Sequence, residues 1–537
     1  MRRARAALAL TAAALLSTVA ACGSLQDAAT DIGGVRMSDD RPVRDGGTLT
    51  VALASDPDKL DPTVAQTLVG RTIFAAMCEK LYDVDRKGEL TPQLATALPE
   101  ISDGGRTVSF PVRRDAEFSD GTRLNAKAVV TSLLRHRDLA GSARATELAP
   151  LKSARATGPY EVELKLKQPY EPLTAVLADR AGMVMSPAAL KKYGKNFGGN
   201  PSCVGPFRYK ERVGGNRIVL TKDSHYYDAR QVHLDEVVYK PIPDGNVRLA
   251  NLRSGDLQIG DQMTPVEVRN SAEDDDLQLF NSPSLGYQGL GLNIGNVRGL
   301  GAKPGRIDTA IARDVRVREA FELSLDRAVL NEVVFQGMYE PACGPVSPQS
   351  AVAPGPDPAD CPGRDVPKAK RLLAAAGVKA PVPVELKVST TPESGRVGQV
   401  IQAMAKEAGF AVSLRPTEYA TMLEETDAGN YQAYLSGWSG RLDPDGNIAS
   451  FLKSRAAMNT YGIADPRMDD LVERGRTELD KDKRARIYDD LVKRARDQHA
   501  LIYLYRQKNY VVAGKDVAGI DVYGDGLVRV KNAGYVR

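Results

Sequence analysis

The pattern that decides the fold lies in residues 365–440, DVPKAKRLLAAAGVKAPVPVELKVSTTPESGRVGQVIQAMAKEAGFAVSLRPTEYATMLEETDAGNYQAYLSGWSG. Short apolar runs, the first two alternating with polar residues, predict strands at 384–388, 412–414 and 431–435. Between them, residues 397–408 carry apolar side chains at helical spacing, and a second helix is predicted at 417–429. This order of strand, helix, strand, helix and strand predicts an α/β fold with a mostly parallel sheet and helices packed on it.

A further helix is marked at the start of this segment by its capping residues. Asp365 offers a side-chain cap, Pro367 lies in the first turn, and Gly377 follows the last apolar residues. We therefore expect a helix that begins after Asp365 and ends at Gly377.

The third predicted strand leads into the loop GWSGRLDPDG at 437–446, which holds the only tryptophan of the chain. Ligands of parallel α/β sheets bind outside the carboxyl ends of the strands, where this loop begins. Its glycines would let a ligand approach the backbone. We therefore predict ligand contact at Gly437, Trp438 and Ser439. The alternative is a tryptophan buried in the core.

The N-terminal half continues the α/β pattern. Leu49, Val51 and Leu53 alternate with Thr50 and Ala52, which predicts a strand that Asp56-Pro57 ends. Further strands are expected at 107–112 and 160–167, and a helix at 126–134.

The first 22 residues determine the compartment. Three arginines precede an uncharged run at 6–20; a membrane span needs roughly 20 apolar residues, so this shorter run is typical of a secretory signal peptide. It ends in Val19-Ala20-Ala21-Cys22, which matches the lipobox of bacterial lipoproteins. We predict a signal peptide at 1–21, a lipid on Cys22 and a flexible tether at 22–45. An ordinary signal peptide with an incidental cysteine is the alternative.

Size and charge limit the remaining possibilities. Removal of 21 residues leaves 516 of the 537, and because single cores stop growing near about 250–300 residues, at least two lobes are expected. Removal of Arg2, Arg3 and Arg5 lowers the formal net charge from +4 to +1. A nucleic-acid partner would require a clustered basic surface, so none is expected.

The cysteines predict two disulfides in the exported chain. Four remain beyond Cys22, an even number that is typical of a disulfide framework. Cys343 and Cys361 flank a loop rich in Pro and Gly and are expected to pair, which leaves Cys78 with Cys203. A metal site is not expected, since the chain has no CxxC and its four histidines are scattered.

A series of short motifs runs in one order through nearly the whole mature chain. The motifs are Gly47–Leu49, Leu60-Asp61-Pro62, Leu81-Tyr82, Gly88, Pro92, Leu94-Ala95, Phe118–Thr122, Val204–Phe207, Ser254–Asp256, Asn293, Asp314–Ala320, Asp326-Arg327, Lys368–Gly377, Gly437-Trp438 and Asp443-Pro444. By the order and spacing of these motifs the chain resembles the family 5 extracellular solute-binding proteins, which serve ABC importers of peptides, nickel complexes and some sugars.

The resemblance implies a two-lobed clamp like the type II periplasmic binding proteins, with an extra inserted subdomain. Lobe I would comprise 46–82, 202–292 and 500–537, with the subdomain at 83–201 inserted in it. Lobe II would comprise 293–499. The ligand would lie between the lobes, which would close on it.

The resemblance also bears on the site. In peptide-binding relatives the residue three past this tryptophan is an aspartate that pairs with the ligand's amino group, whereas this chain has Arg441. Arginine suits a carboxylate or phosphate, so Arg441 is expected either to bind a ligand anion or to pair with Asp443 or Asp445. By analogy Ser55 and Tyr287 would line the facing lobe. Asp443 and Asp445 lack the calcium-loop pattern and are expected in a structural turn.

Enzyme signatures are missing. The sequence contains no Gly-x-Ser-x-Gly, no Walker motif, no His-Glu-x-x-His and no Gly-x-Gly-x-x-Gly. No catalysis and no cofactor are therefore expected; an exported hydrolase is the enzymatic alternative.

Together these features predict a monomeric, lipid-anchored solute-binding protein on the outer face of the cytoplasmic membrane. It would capture a small peptide-like or anionic ligand and deliver it to the permease and ATPase subunits of an ABC importer. A lipid-anchored receptor that senses an extracellular ligand without bulk transport is the alternative, because both roles need only a ligand-dependent closed state.

The lipid anchor is testable at Cys22. Replacing the thiol in Cys22→Ala removes the acceptor of the lipid, so the processed protein should leave the membrane fraction and appear as soluble protein. Fractionation followed by immunoblotting measures this. A processed Cys22→Ala protein that remains in the membrane fraction would place the anchor elsewhere.

Overall fold

The computed structural model describes residues 36–348, 350 and 361–537. The predicted signal peptide, Cys22 and the first part of the predicted tether lie outside these residues. Within the described ranges, no helix is both long and apolar enough to cross a membrane.

A seven-stranded mixed sheet forms the first lobe, which we call lobe I. Thr48–Leu53 lies in its middle and runs parallel to both neighbours. Leu49, Val51 and Leu53 are buried, as the alternation predicts. In spatial order the strands are Leu277–Pro283, Lys508–Gly514, Ile259–Gly260, Thr48–Leu53, Glu236–Pro241, Arg217–Lys222 and Phe207–Val213. The helices of this lobe are Leu68–Met77, Gly245–Ser254 and Pro265–Ser271.

The inserted segment carries its own four-stranded antiparallel sheet. Its strands in spatial order are Glu100–Ser102, Thr107–Pro111, Glu161–Leu166 and Leu151–Gly158. Its helices are Ala126–Asp138, Leu173–Val176 and Pro187–Tyr193. One hydrophobic core runs through this segment and lobe I, so the insertion packs on lobe I and does not have a separate core.

A six-stranded sheet forms the second lobe, lobe II. Val382–Ser389 runs parallel to both Phe410–Thr417 and Ala433–Trp438, which confirms the predicted parallel arrangement. The full spatial order is Glu340–Pro341, Leu501–Arg506, Tyr287–Leu292, Ala433–Trp438, Val382–Ser389 and Phe410–Thr417. Its helices are Ala310–Arg313, Val315–Leu323, Arg327–Phe335, Val366–Ala375, Pro392–Glu407, Tyr419–Asp427, Asp445–Leu452, Pro466–Thr477 and Lys481–Arg496.

The helix ends follow their local chemistry. The Asp365 side chain accepts from the N–H of Lys368, so the predicted cap of Val366–Ala375 is confirmed. The helix expected to open at Thr417 begins instead at Tyr419, because Thr417 still belongs to the preceding strand and Glu418 serves as the cap.

Small sheets join residues 43–44 to the C-terminal end of the chain. Gly534–Val536 pairs with Val43–Arg44 and with Val517–Ala518, and Asp521–Val522 pairs with Val528–Arg529. The tether predicted to extend to residue 45 is therefore too long. The carboxylate of Asp39 is buried between Arg36 and Arg41, and residues 43–44 are part of the fold.

Two predicted lobe boundaries are wrong by one strand. Tyr287–Leu292 and Leu501–Arg506 were assigned to lobe I, yet they hydrogen-bond to each other and to Ala433–Trp438 inside the lobe II sheet. Alternation shows that a segment is a strand but does not show which sheet it joins. The chain thus crosses between the two sheets at 284–286 and at Gln507.

Arg506 holds the two crossings together. Its guanidinium donates to the carbonyl oxygen of Gly286 at 2.7 Å, in the first crossing, while the residue itself precedes the second crossing. It also donates to the carbonyl oxygens of Gly344 (2.7 Å) and Val346 (2.5 Å). The Cys343–Cys361 disulfide lies next to Gly344 in the chain, and Cys78 is joined to Cys203. Both predicted pairs are therefore present.

Candidate functional site

A cleft between the two lobes is the candidate site. It contains about 1630 Å³ of space free of protein atoms, counting the part that opens to solvent. From lobe II it is lined by residues that follow the parallel strands, such as Ser389, Thr391 and Ser439. From lobe I it is lined by Ser55 and Gln262, which follow the central strands of that sheet. Both lobes therefore turn the carboxyl ends of parallel strands toward one space, the usual ligand position in α/β folds.

Trp438 is both a cleft residue and a core residue. It contributes to the wall of the cleft, but only 5% of its surface is exposed. Its indole N–H donates to Oδ1 of Asn447 at 3.0 Å, and its ring packs edge-on against Phe451. The indole donor is therefore already used inside the protein and is not free for a ligand.

The glycines around Trp438 make room for a neighbouring strand. A Cβ on Gly437 would lie 2.3 Å from the carbonyl oxygen of Tyr287, and one on Gly440 would lie 2.2 Å from the carbonyl carbon of Leu285. Gly440 also has φ +82°, which disfavours any other residue. Gly437 lines the cleft. The presence of glycine at both positions is nevertheless better explained by the close approach of the backbone at 285–287 than by the predicted approach of a ligand.

Tyr287 does not lie on the facing lobe. It is paired directly with Trp438 in the lobe II sheet, so both side chains point to the same face. Its ring packs against Tyr503 and Phe451 in the core. The prediction for Tyr287 failed because its strand was assigned to the wrong lobe. Ser55, by contrast, does line the cleft from lobe I.

Arg441 has a partner that the sequence did not suggest. Its Nε lies 2.5 Å from Oδ2 of Asp179, in the inserted segment, and its Cζ lies 4.0 Å from the centre of the Trp438 ring. Arg441 is 9% exposed and is not among the residues that line the cleft. Neither Asp443 nor Asp445 is its partner.

Asp179 joins both lobes. Its other carboxylate oxygen lies 3.2 Å from Nε of Arg71, on the lobe I helix Leu68–Met77, and Arg71 in turn donates to the Ser439 hydroxyl at 3.1 Å. Burial alone would raise the pKa of Asp179, but attraction by Arg441, then by Arg71 and Arg180, holds it well below its usual range. Asp179 is therefore an ionised carboxylate at neutral pH that ties the 437–446 loop to lobe I.

The two aspartates of the loop have arginine partners. Asp443 accepts two hydrogen bonds from Arg484, each 2.6 Å long, and Asp445 lies 2.8 Å from Nε of Arg476. Asp445 also accepts from the Tyr170 hydroxyl at 3.1 Å, another contact from the inserted segment to lobe II. These pairings support the structural turn predicted for the two aspartates.

Two acids and two tyrosines of the cleft escaped the sequence analysis. Glu393 and Glu267 line it from opposite lobes, together with Tyr339 and Tyr505. A signal for Glu393 existed, because it follows the predicted strand at 384–388, where the strand-end rule places ligands. Tyr505 lies inside a strand whose every residue is buried, so no pattern distinguishes it.

Glu393 is an unsatisfied acid. Its Oε2 is buried and has no hydrogen-bond partner among the described residues. Burial raises the pKa of Glu393 to about 7, and repulsion from Glu267 adds to the effect, while Arg396 and Arg248 oppose it. The cleft therefore contains a carboxyl group whose ionised form is penalised at neutral pH.

Comparison with known proteins agrees with this geometry. Residues 89–459 match the family described as bacterial extracellular solute-binding proteins, family 5 middle. The glutathione-binding protein GsiB of Escherichia coli K12 is 25% identical over 452 residues, which cover 82% of this chain and 85% of that protein.

Solved structures share the fold. The PBP AgaA of A. tumefaciens R10, in complex with agropinic acid, superposes with a TM-score of 0.81 at 26% identity, covering 91% of this chain and 99% of its own. The murein tripeptide binding protein MppA of Escherichia coli has a TM-score of 0.84 at 22% identity, covering 92% and 99%. The predicted α/β clamp is thereby confirmed.

The role of Asp179 can be tested by Asp179→Asn. This change leaves Arg441 and Arg71 buried without their counter-ion, which should lower the free energy of unfolding by about 3–5 kcal/mol. Denaturant titration measures the loss. The matched control is Asp138→Asn, since Asp138 pairs with Arg137 at 2.6 Å but is 56% exposed, and its loss should be within about 1 kcal/mol. An equally small loss in Asp179→Asn would contradict the assignment of Asp179 as the counter-ion of Arg441 and Arg71.

Because the ionised form of Glu393 is unfavourable in the fold, we expect removal of its charge to stabilise the protein in a pH-dependent way. The carboxyl binds its proton more tightly in the folded chain (pKa about 7) than in the unfolded chain (4.5), so ionisation weakens the fold progressively as the pH rises between these values. Glu393→Gln should therefore raise the free energy of unfolding of the ligand-free protein by about 3 kcal/mol above pH 7 and change it little near pH 4. Thermal melts across this range provide the measurement.

The control for this effect is Glu407→Gln on the same helix. Glu407 is exposed and pairs with Arg364 at 2.6 Å, so its removal should not stabilise the protein at any pH. If Glu393→Gln behaves like Glu407→Gln, the ionised carboxylate of Glu393 does not destabilise the fold.

Proposed function

We infer the function from one premise: this chain belongs to the bacterial extracellular solute-binding proteins of family 5. Proteins of this family bind peptides or small ligands and work with the permease and ATPase subunits of ABC transporters. We propose that this chain captures a peptide-like or similarly small solute outside the cytoplasm and delivers it to such a permease.

The cleft is the observation that carries this proposal. Drug-sized ligands occupy pockets of roughly 300–1,000 Å³. The space between the lobes, about 1630 Å³ with its open mouth, accommodates a solute of that size or larger. Its walls combine hydroxyl and amide side chains from both lobes, including Ser55, Gln262, Ser389 and Ser436, so a bound ligand would contact both lobes at once.

Closure of the lobes would bury that ligand. The inserted segment contacts lobe II at several points away from the cleft: Thr146 with Ala457 (3.1 Å), Gln168 with Glu473 (2.7 Å) and Glu171 with Arg484 (2.6 Å). Contacts of this kind support a clamp whose lobes meet outside the ligand site. Trp438, beside the cleft and next to the Arg441–Asp179 pair, is placed to report closure by its fluorescence.

The remaining features of the proposal concern the setting of the protein. It acts as a monomer without catalysis, and the lipid on Cys22 retains it on the outer face of the cytoplasmic membrane. The lipobox supports the anchor. The paired loop aspartates and the absence of catalytic motifs from the sequence support a binding role.

Blocking the cleft provides the test. Ser436 lies in the cleft wall with its hydroxyl 3.4 Å from that of Tyr419, so Ser436→Trp would fill the space that the ligand needs. Mass spectrometry of extracts should find a small solute released from the wild type and none from Ser436→Trp. Uptake of that solute by cells should fall to the level seen without the protein.

The matched control is Ser413→Trp, an exposed position on the edge strand Phe410–Thr417 of the same sheet. It should retain both the solute and its uptake. A Ser436→Trp protein that still carries the solute would exclude the cleft as the binding site. Solute binding without any effect on uptake would favour the receptor alternative.

A further inference from the structure

The strongest unexplained feature of the cleft is the carboxylate of Glu393. It belongs to the first turn of the helix Pro392–Glu407, and its Oε2 is buried with no hydrogen-bond partner in the described part of the chain. A buried charge without a partner is costly, and proteins rarely retain one without a use. Because Glu393 faces the cleft, a ligand group is the partner that the fold leaves room for.

The charged neighbours of Glu393 do not neutralise it. Glu267, across the cleft on lobe I, accepts from the N–H of Thr264 at 3.0 Å and repels Glu393. The guanidinium of Arg248 is engaged by the carbonyl oxygens of Ile242, Pro243 and Gln262, at 2.7, 3.1 and 3.0 Å. Arg396 is exposed to solvent. With burial and the repulsion of Glu267 both acting, the pKa of Glu393 is raised to about 7 in spite of the two arginines.

Aromatic rings complete this corner of the cleft. Tyr339 and Tyr505 line it, with their rings nearly parallel at 12° and their centres 5.8 Å apart. The ring of Tyr510 is also nearly parallel to that of Tyr339, with the two centres 6.2 Å apart. Glu393 lies close enough that its charge raises the pKa of both Tyr339 and Tyr505, after the larger effect of burial. A negative carboxylate beside aromatic faces is the environment that favours an organic cation.

We propose that the cleft recognises its ligand through a cationic nitrogen, an ammonium or guanidinium group, held between Glu393 and Glu267 and against the rings of Tyr339 and Tyr505. The proposal rests on the proposed function, since it assigns a chemical class to the ligand of the same cleft. It also replaces the sequence-based expectation of an anion at Arg441, because that arginine is paired with Asp179.

A cation at this position would offset each of the unfavourable interactions of Glu393. It would give Glu393 Oε2 a donor, offset the repulsion between the two glutamates and favour the ionised form of Glu393. Of the cations on the cleft wall, Arg396 is exposed and Lys508 is half-buried with access to water. Both terminal nitrogens of Arg248 donate to backbone carbonyl oxygens, and only its Nε is without a partner among the described residues. The guanidinium of Arg248 is thus held by the protein, whereas Oε2 of Glu393 has no donor.

The experiment is calorimetric titration with a panel of alanine tripeptides whose central residue is lysine, arginine, norleucine or glutamate, each with a free and with an acetylated amino terminus. We expect binding by members with an accessible cationic nitrogen and none by acetylated norleucine or acetylated glutamate peptides. Glu393→Gln should weaken binding of the cationic members roughly 30-fold or more, as expected when one partner of a buried charge pair is removed. Glu407→Gln, the exposed control, should bind like the wild type.

The pH dependence provides a second readout. Because the ionised carboxylate is the form that attracts a cation, binding should strengthen as the pH rises through about 7 in the wild type, and this dependence should be lost in Glu393→Gln. Since Glu393→Gln is expected to be the more stable protein at neutral pH, loss of binding cannot be ascribed to unfolding.

The outcomes separate the two proposals. Equal binding of acetylated norleucine peptides and cationic peptides, or unchanged binding by Glu393→Gln, would overturn the cationic site and leave the solute-binding function standing. Failure of every cationic member to bind would also overturn it. The solute-binding function is judged independently by extraction of solute from wild type and Ser436→Trp, which assumes nothing about the charge of the ligand.

Discussion

The contact between Asp179 and the two arginines Arg441 and Arg71 is the interaction on which the arrangement of the lobes depends. It joins the inserted segment, lobe I and the 437–446 loop of lobe II through one buried carboxylate. A charge buried alone is costly, so the two arginines both depend on the carboxylate of Asp179. Arg71 also donates to the hydroxyl of Ser439, which fixes the start of the loop beside the cleft.

Such a cluster favours a unique arrangement more than it adds stability. Burying charges costs several kcal/mol per ion, which the attraction between them only offsets. The apolar cores supply the stability: one runs through lobe I and the insertion, one lies within lobe II, and one contains residues of both lobes, such as Leu252 and Leu290. The function of the ionic cluster is to specify how the lobes meet. Asn447 has a related local role, since its side chain holds both the indole of Trp438 and the backbone of Arg441.

The sequence predicted local structure well and long-range partners poorly. The strand at 49–53, the parallel order of the lobe II sheet and the cap at Asp365 all follow from periodicity or from residues within a few positions of one another. The partner of Arg441 could not be found in this way, because Asp179 lies in another part of the chain and nothing in its surrounding sequence marks it. The nearer aspartates were plausible partners on distance along the chain, but the fold gives them to Arg484 and Arg476. Tyr287 was misplaced for a similar reason, since sheet membership depends on which strand it pairs with.

The contacts of the inserted segment with lobe II have a thermodynamic consequence for any measured affinity. In the closing clamp proposed above, hydrogen bonds such as those from Ala457 to Thr146 and from Gln168 to Glu473 would form only when the lobes meet, and they contain no atom of the ligand. They would lower the free energy of the closed conformation whether or not a ligand is present. The apparent dissociation constant is the intrinsic constant divided by the fraction of molecules that is competent to bind, so residues far from the cleft would enter it through that fraction. Under that proposal affinity is distributed between the cleft and a remote interface, and a substitution at Thr146 or Gln168 would alter ligand occupancy while leaving every residue of the cleft wall unchanged.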